Sequence, residues 1–203
     1  RFLILGSASP ELLRQSSETL AGRLETIPLE GFRWADLGRK GQNRHWLRGG
    51  FPLSYTARTE HDSLTWRRQL LQTFLERDIP QLGIQIPAQT LRRFWSMIAH
   101  YHAQIWNGAE LARALGVGET TVRRYLDLLT GVFMLRQLPP WFANLGKRQV
   151  KAPKVYVRDS GLLHALLGIP DRRGLELHPK IGASWEGYAI EELLKALKPD
   201  EAY

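Results

Sequence analysis

Cysteine is missing from this sequence altogether. That removes disulfides, thiolate metal ligands and cysteine nucleophiles, and it fits a cytoplasmic protein. Also missing is any apolar run near the roughly 18 residues that a membrane span requires. The apolar start, Phe2 to Leu5, is too short for the hydrophobic region of a signal peptide. No membrane partner is therefore expected. No internal repeat or low-complexity tract is present. Metal-ligand spacing is lacking too: His100 and His102 are two apart, which puts them on different sides of a helix, so no metal site is expected. What remains is an ordinary globular composition, 43% hydrophobic and 24% charged over 203 residues, enough for one large or two small domains. Its charge is not balanced, because 28 Lys and Arg face 20 Asp and Glu for a net +8. Such an excess favours polyanions, nucleic acid above all; an arginine-rich solvated surface is the plainer alternative.

Periodicity predicts an α+β fold that is predominantly helical. Residues 1–30 read as strand, turn, helix, strand, with Ser9 placed to cap the helix and Pro10 tolerated in its first turn. Residues 31–59 are rich in glycine and are expected to be loop, with a domain boundary there. Residues 60–79 are expected to be a helix ending before Pro80, and residues 90–104 another, with Leu91, Phe94, Trp95, Ile98 and Tyr101 on one side.

The most informative stretch is "NGAELARALGVGETTVRRYLDLLTGVFMLRQLPPW". It predicts a short helix over 109–115, a tight turn at Gly116–Gly118, a second helix over 119–129 and a strand over 132–138. Residues 151–159 supply a second strand. Helix, turn, helix and a two-stranded wing are the winged-helix plan. Leu111, Ala112, Leu115, Val122, Tyr125, Leu126 and Leu129 pack it. Glu119, Thr120, Arg123, Arg124 and Asp127 form its exposed edge, where a DNA reader approaches bases and phosphates. Lys147, Arg148, Lys151, Lys154 and Arg158 suit phosphate contacts beside the wing. Winged helices also serve as protein-interaction modules, and Glu119 and Asp127 offset Arg123 and Arg124.

The stretches "LILGSAS" with "LAGR", "LRGGFP", "FLERDIPQL", "ELARALGVGETTVRRYLDLL", "KAPKVYVRDSGLLHALLGI" and "GASWEGYAIEELL" together resemble the AAA+ ATPases of bacteria and archaea that carry a C-terminal domain of unknown function. The resemblance implies an α/β P-loop ATPase core, then a winged helix, then a domain related to the PD-(D/E)xK nucleases. It divides this chain into the end of the ATPase core (1–30), a linker and helical lid-like segment (31–104), a winged helix (105–158) and the start of a nuclease-like domain (159–203). Ser7 or Ser9 matches the position that senses the γ-phosphate, although on local physics alone Ser9 reads as a helix cap. Arg23 matches an arginine finger reaching a neighbouring subunit's nucleotide, which implies a homo-oligomer; the plainer reading is a surface arginine.

The departures from that family are as telling. There is no GxxxxGK[ST]: Gly146-Lys147 is followed by Arg148, and no strand ends in paired acids. ATP and Mg²⁺ are thus expected in the intact protein and not in this chain, which reads as a fragment without a complete ATPase centre. Glu186 matches a nuclease helix, but the later acid and (D/E)xK element do not follow. Glu191 and Glu192 are expected to form a solvated face with Lys195. "LRGGFP" needs its glycines for backbone geometry, and Asp159 or Ser160 reads as a helix cap. Most tryptophans are expected in the core, with Trp141 placed to serve either core or wing. The competing reading is a stand-alone winged-helix DNA-binding or regulatory protein.

Overall fold

The computed structural model describes residues 29–140 and 152–197. The expectations for residues 1–28 lie outside them. The fold is α+β and mostly helical, with one small antiparallel sheet.

Helix α1 (Trp34–Arg48) and a single turn, α2 (Pro52–Tyr55), occupy the stretch expected to be loop. Gly38, at φ 67°, kinks α1, which is why the glycine-rich sequence reads as loop. Past the kink the helix holds because its last turn, His45–Arg48, is buried on every side. Helix α3 (Glu60–Thr73) is capped by the Thr59 side chain, which accepts from the Asp62 N–H. It does not stop before Pro80. It widens into a π-helical turn over Phe74–Asp78 and continues as α4 (Ile79–Gln81). The Ile79 N–H reaches back five residues to the Phe74 carbonyl, and Pro80 falls at the start of α4, where its missing donor is not needed.

Helix α5 (Ala88–His100) buries Leu91, Phe94, Trp95 and Ile98 completely. It ends earlier than its apolar pattern suggests, because Ala103 turns the chain with φ 65° into strand β1 (Gln104–Ile105). Helices α6 (Gly108–Leu115) and α7 (Glu119–Gly131) follow. Strand β2 (Leu135–Leu138) starts three residues later than expected, since Phe133 has φ 62° and Val132–Met134 form the turn out of α7. Strand β3 (Lys154–Val157) runs antiparallel to both β2 and β1, so the sheet order is β1-β3-β2. Leu135 pairs with Val157, and Gln104 with Val155.

Asp159 caps α8 (Ser160–Leu166) by accepting from the Leu162 N–H at 2.8 Å. The next stretch holds a short helix, α9 (Arg172–Glu176), begun by an Asp171 cap. Helix α10 (Ile181–Leu197) ends the described chain.

The main core joins α3, α5, α6, α7, α8 and the sheet around Trp95, Phe94, Leu126, Leu129 and Val155. A smaller cluster joins Trp46 and Leu47 of α1 to Ile169, Leu175 and Tyr188. Segments 31–104 and 159–203 therefore share this second core.

Candidate nucleic-acid interface

The surface around α6 and α7 is built by local signals. The Asn107 side chain accepts from the Glu110 N–H and starts α6. Gly116, in the left-handed conformation at φ 72°, closes α6 by donating to the Ala112 and Arg113 carbonyls. The Arg93 guanidinium donates to the Ala114 carbonyl at 2.8 Å and ties the same helix end to α5. Helix α7 then turns Val122, Tyr125, Leu126, Leu128 and Leu129 inward. Glu119, Thr120, Arg123, Arg124 and Asp127 are all exposed, as their spacing predicts.

That edge is nearly neutral. Arg123 donates to Asp127 at 3.1 Å, with both side chains about half exposed. The other Asp127 oxygen accepts from Gln137 Nε2 at 3.0 Å, which couples α7 to β2. Arg124 is in no ion pair among the described residues. On β3, Lys154 donates to Glu186 at 2.8 Å, so this cation is already partly neutralised. Lys147, Arg148, Lys151 and Trp141 lie outside the described residues, as do Ser7, Ser9 and Arg23.

Behind the sheet, α10 presents two carboxylates that the structure places differently from expectation. Glu191 is not on a solvated face. It is 2% exposed and bridges Arg136 of β2, through a short contact and a 3.0 Å bond, and Arg158, at 3.2 Å. Lys195 instead donates to Glu192, one residue closer, and Glu192 also accepts from the Trp34 N–H at 2.6 Å. The reason is helix phase: residue 191 falls on the buried side of α10 with Ser184, Gly187 and Tyr188. Glu186 accepts from both Lys154 and the Tyr156 hydroxyl, at 2.8 and 2.7 Å. Burial works to raise its pKa, but these two hydrogen bonds outweigh burial and lower it. Burial and the same hydrogen bond raise the Tyr156 phenol. These carboxylates lock α10 to the strands.

Residues that the sequence reading did not single out form a second polar assembly between α1, α3, α8 and α10. Arg67 is fully buried and donates to the carbonyls of Leu47 and Gly161. Burial lowers its pKa to about 10. His164 holds Nδ1 at 2.9 Å from the Leu47 carbonyl, so Nδ1 carries the proton, and Nε2 accepts from the Ser184 hydroxyl at 2.7 Å. Ser184 in turn accepts from Trp46 Nε1. Burial lowers the His164 pKa to about 4. Arg48 forks onto Glu60 at 2.9 and 2.8 Å, and Asp159 accepts from the Gly50 N–H. A Cβ at Gly49 would strike the Asp159 carboxylate, and one at Gly161 would strike the Arg48 carbonyl. The stretches "LRGGFP", "RDSGLL" and "GASWEGY" thus meet in space. One signal for this assembly was present: Arg67 sits in the Leu64–Leu71 stripe of α3, and His164 inside an otherwise apolar helix.

The described residues define a mostly helical α+β unit whose buried ion pairs and hydrogen bonds hold its elements at fixed positions. The chain belongs to the family of a domain of unknown function, DUF8612, whose model matches residues 39–173. It is 58% identical over all 203 residues to uncharacterized protein Mb2031c of Mycobacterium bovis and to uncharacterized protein Rv2008c of Mycobacterium tuberculosis. It covers 46% of each, and so spans less than half the length of these curated relatives. No solved structure matches it. Among the described residues, no helix is long and apolar enough to cross a membrane.

Proposed function

We propose that residues 105–158 form a winged-helix unit that docks this protein on nucleic acid, as part of a larger AAA+-type, ATP-driven and oligomeric protein. One observation carries the reading: directly after α5 the chain runs β1-α6-α7-β2-β3, with β3 central in the sheet. That order leaves α7 buried along one side and presents Thr120, Arg123 and Arg124 along the other. The net charge of +8 supports a polyanionic partner. The greater length of the mycobacterial relatives favours a larger protein over a stand-alone winged-helix regulator. In the larger protein ATP and Mg²⁺ are the cofactors, Ser7 or Ser9 senses the γ-phosphate, and Arg23 acts between subunits.

The test is fluorescence anisotropy with a labelled DNA duplex of about 20 base pairs over about 50 to 200 mM salt. Salt-dependent binding that Arg123→Gln/Arg124→Gln weakens several-fold is the expected result. A protein that shows no salt-dependent binding overturns the reading.

A further inference from the structure

Among the described residues, a positive surface also lies away from α7. Between Leu37 and Thr59 the sequence carries five cations, Arg39, Lys40, Arg44, Arg48 and Arg58, and no acid. The acids on either side are engaged: Asp36 by Arg33 at 2.8 Å, and Glu60 by the buried Arg48. Asp36 is held so firmly, by the Arg33 side chain first and its backbone N–H second, that its pKa falls to about 2. The other four cations are exposed, and none joins an ion pair among the described residues.

Their placement is fixed by the fold. Past the Gly38 kink, Arg39, Lys40, Asn43 and Arg44 fall within about 140° of the helix circumference, at 100° per residue. Tyr55 packs against the bare Cα of Gly41, where an added Cβ would lie 2.9 Å from its hydroxyl. The Arg44 guanidinium sits 5.8 Å from the centre of the Tyr55 ring, which orients it without neutralising it. Arg58 follows three residues beyond that tyrosine. Lys40 and Arg44, four apart, repel one another along the helix, and a bound anion relieves that repulsion. The exposed edge of α7, by contrast, sums to zero over Glu119, Arg123, Arg124 and Asp127.

We infer that the outer face of α1, Arg39, Lys40 and Arg44, is a second nucleic-acid surface and supplies the larger share of the attraction for the phosphodiester backbone. Its contacts are to phosphates and carry no sequence preference. The inference rests on the nucleic-acid reading above and goes beyond it in placing the electrostatic contact away from α7.

The experiment measures binding of the 203-residue chain to a labelled duplex of arbitrary sequence between about 50 and 200 mM salt. Each phosphate contact contributes about 0.9 to the slope of log K against log salt. Arg39→Gln/Lys40→Gln/Arg44→Gln is expected to cut the slope by about 2.7 and the affinity by more than about tenfold. Arg123→Gln/Arg124→Gln is expected to cost less. Arg39→Lys/Arg44→Lys, which keeps the charge, is expected to keep the slope. If the triple variant does not fold, each single substitution is expected to remove about 0.9 of the slope. Full binding by the charge-neutralised variants, with loss only in the Arg123/Arg124 variant, overturns this inference and leaves the nucleic-acid reading intact. Absence of salt-dependent binding by the unsubstituted protein removes that reading and this inference with it.

Discussion

The interior between α5 and β3 and the interior between α1, α3, α8 and α10 are held on different terms. The first is apolar: Leu91, Phe94, Ile98, Val122, Leu126 and Leu129 are buried there. The second buries His45, Arg48, Ser54, Ser63, Arg67, His164 and Ser184 among few hydrophobic side chains. Burial of apolar area has no direction, so the first region tolerates exchange of similar shapes. Hydrogen bonds have direction, and a buried donor left without its acceptor costs its full desolvation, so the second region tolerates little. Tight glycine contacts sharpen the contrast, since Gly49, Gly50 and Gly161 let backbone and carboxylate approach where any Cβ would intrude.

The widest gap between the two regions is expected from Gly161→Ala. Its Cβ collides with the Arg48 carbonyl, and the Gly161 carbonyl must still receive Arg67. A loss of about 3 kcal/mol or more is expected, against less than about 1.5 for the volume-conserving Leu126→Met in the apolar core. Urea unfolding followed by tryptophan fluorescence measures both. Equal effects would show that the polar junction is no more demanding than the apolar core.

Acid tests both regions next, since His164 lies in the polar junction and the His102 Nδ1 accepts from the Val157 N–H of β3. His102 and His164 are held near pKa 4 by burial, below their ordinary 6.5. The unfolded chain therefore binds protons that the folded chain refuses, and stability falls as pH drops from 6.5 to 4. The loss is on the order of 3 kcal/mol for each histidine across that window. His164→Gln retains a donor for Leu47 and an acceptor for Ser184, and it is expected to remove about half of the slope. An unchanged slope in that variant would mean that His164 is not the titrating group. Ser184→Ala, which strips one partner from His164 and one from Trp46, is expected to cost about 1–2 kcal/mol at pH 7.

The same contrast explains what was legible in the sequence. In the α5-to-β3 half, apolar spacing located the helices to within a few residues, and the turn at Gly116 and the exposed edge of α7 followed from local rules. The partners of the polar junction lie far apart in the chain: Arg67 meets Gly161, Trp46 meets Ser184, and Gly50 meets Asp159. No periodicity encodes such pairs. Helix α1 was missed for the same reason, because its last turn is stabilised by distant packing and its glycines imitate a loop. Glu191 was misplaced because an acid near a lysine looks like a surface pair until Arg136 and Arg158 are brought against it by the sheet. Of the candidate site residues, Thr120, Arg123, Arg124 and Lys154 could be placed, and Lys154 turned out to be paired with Glu186.

Asp127→Asn gives the smallest expected change in stability and the finest test of how the α7 edge is tuned. Asp127 and Arg123 are half exposed, so water screens their attraction and its loss is expected to cost no more than about 0.5 kcal/mol. Asn retains an oxygen to accept from Gln137, which keeps α7 tied to β2. The substitution removes a negative charge beside two arginines and releases Arg123 to face solvent. Affinity for a DNA duplex is therefore expected to rise about two- to fivefold at low salt, with the gain shrinking toward about 200 mM as screening takes over. A neutral result would place the backbone contact wholly on α1. A loss would mean that Arg123 needs Asp127 to hold it in a binding geometry, and that the near-neutral edge is an oriented surface rather than a weak one.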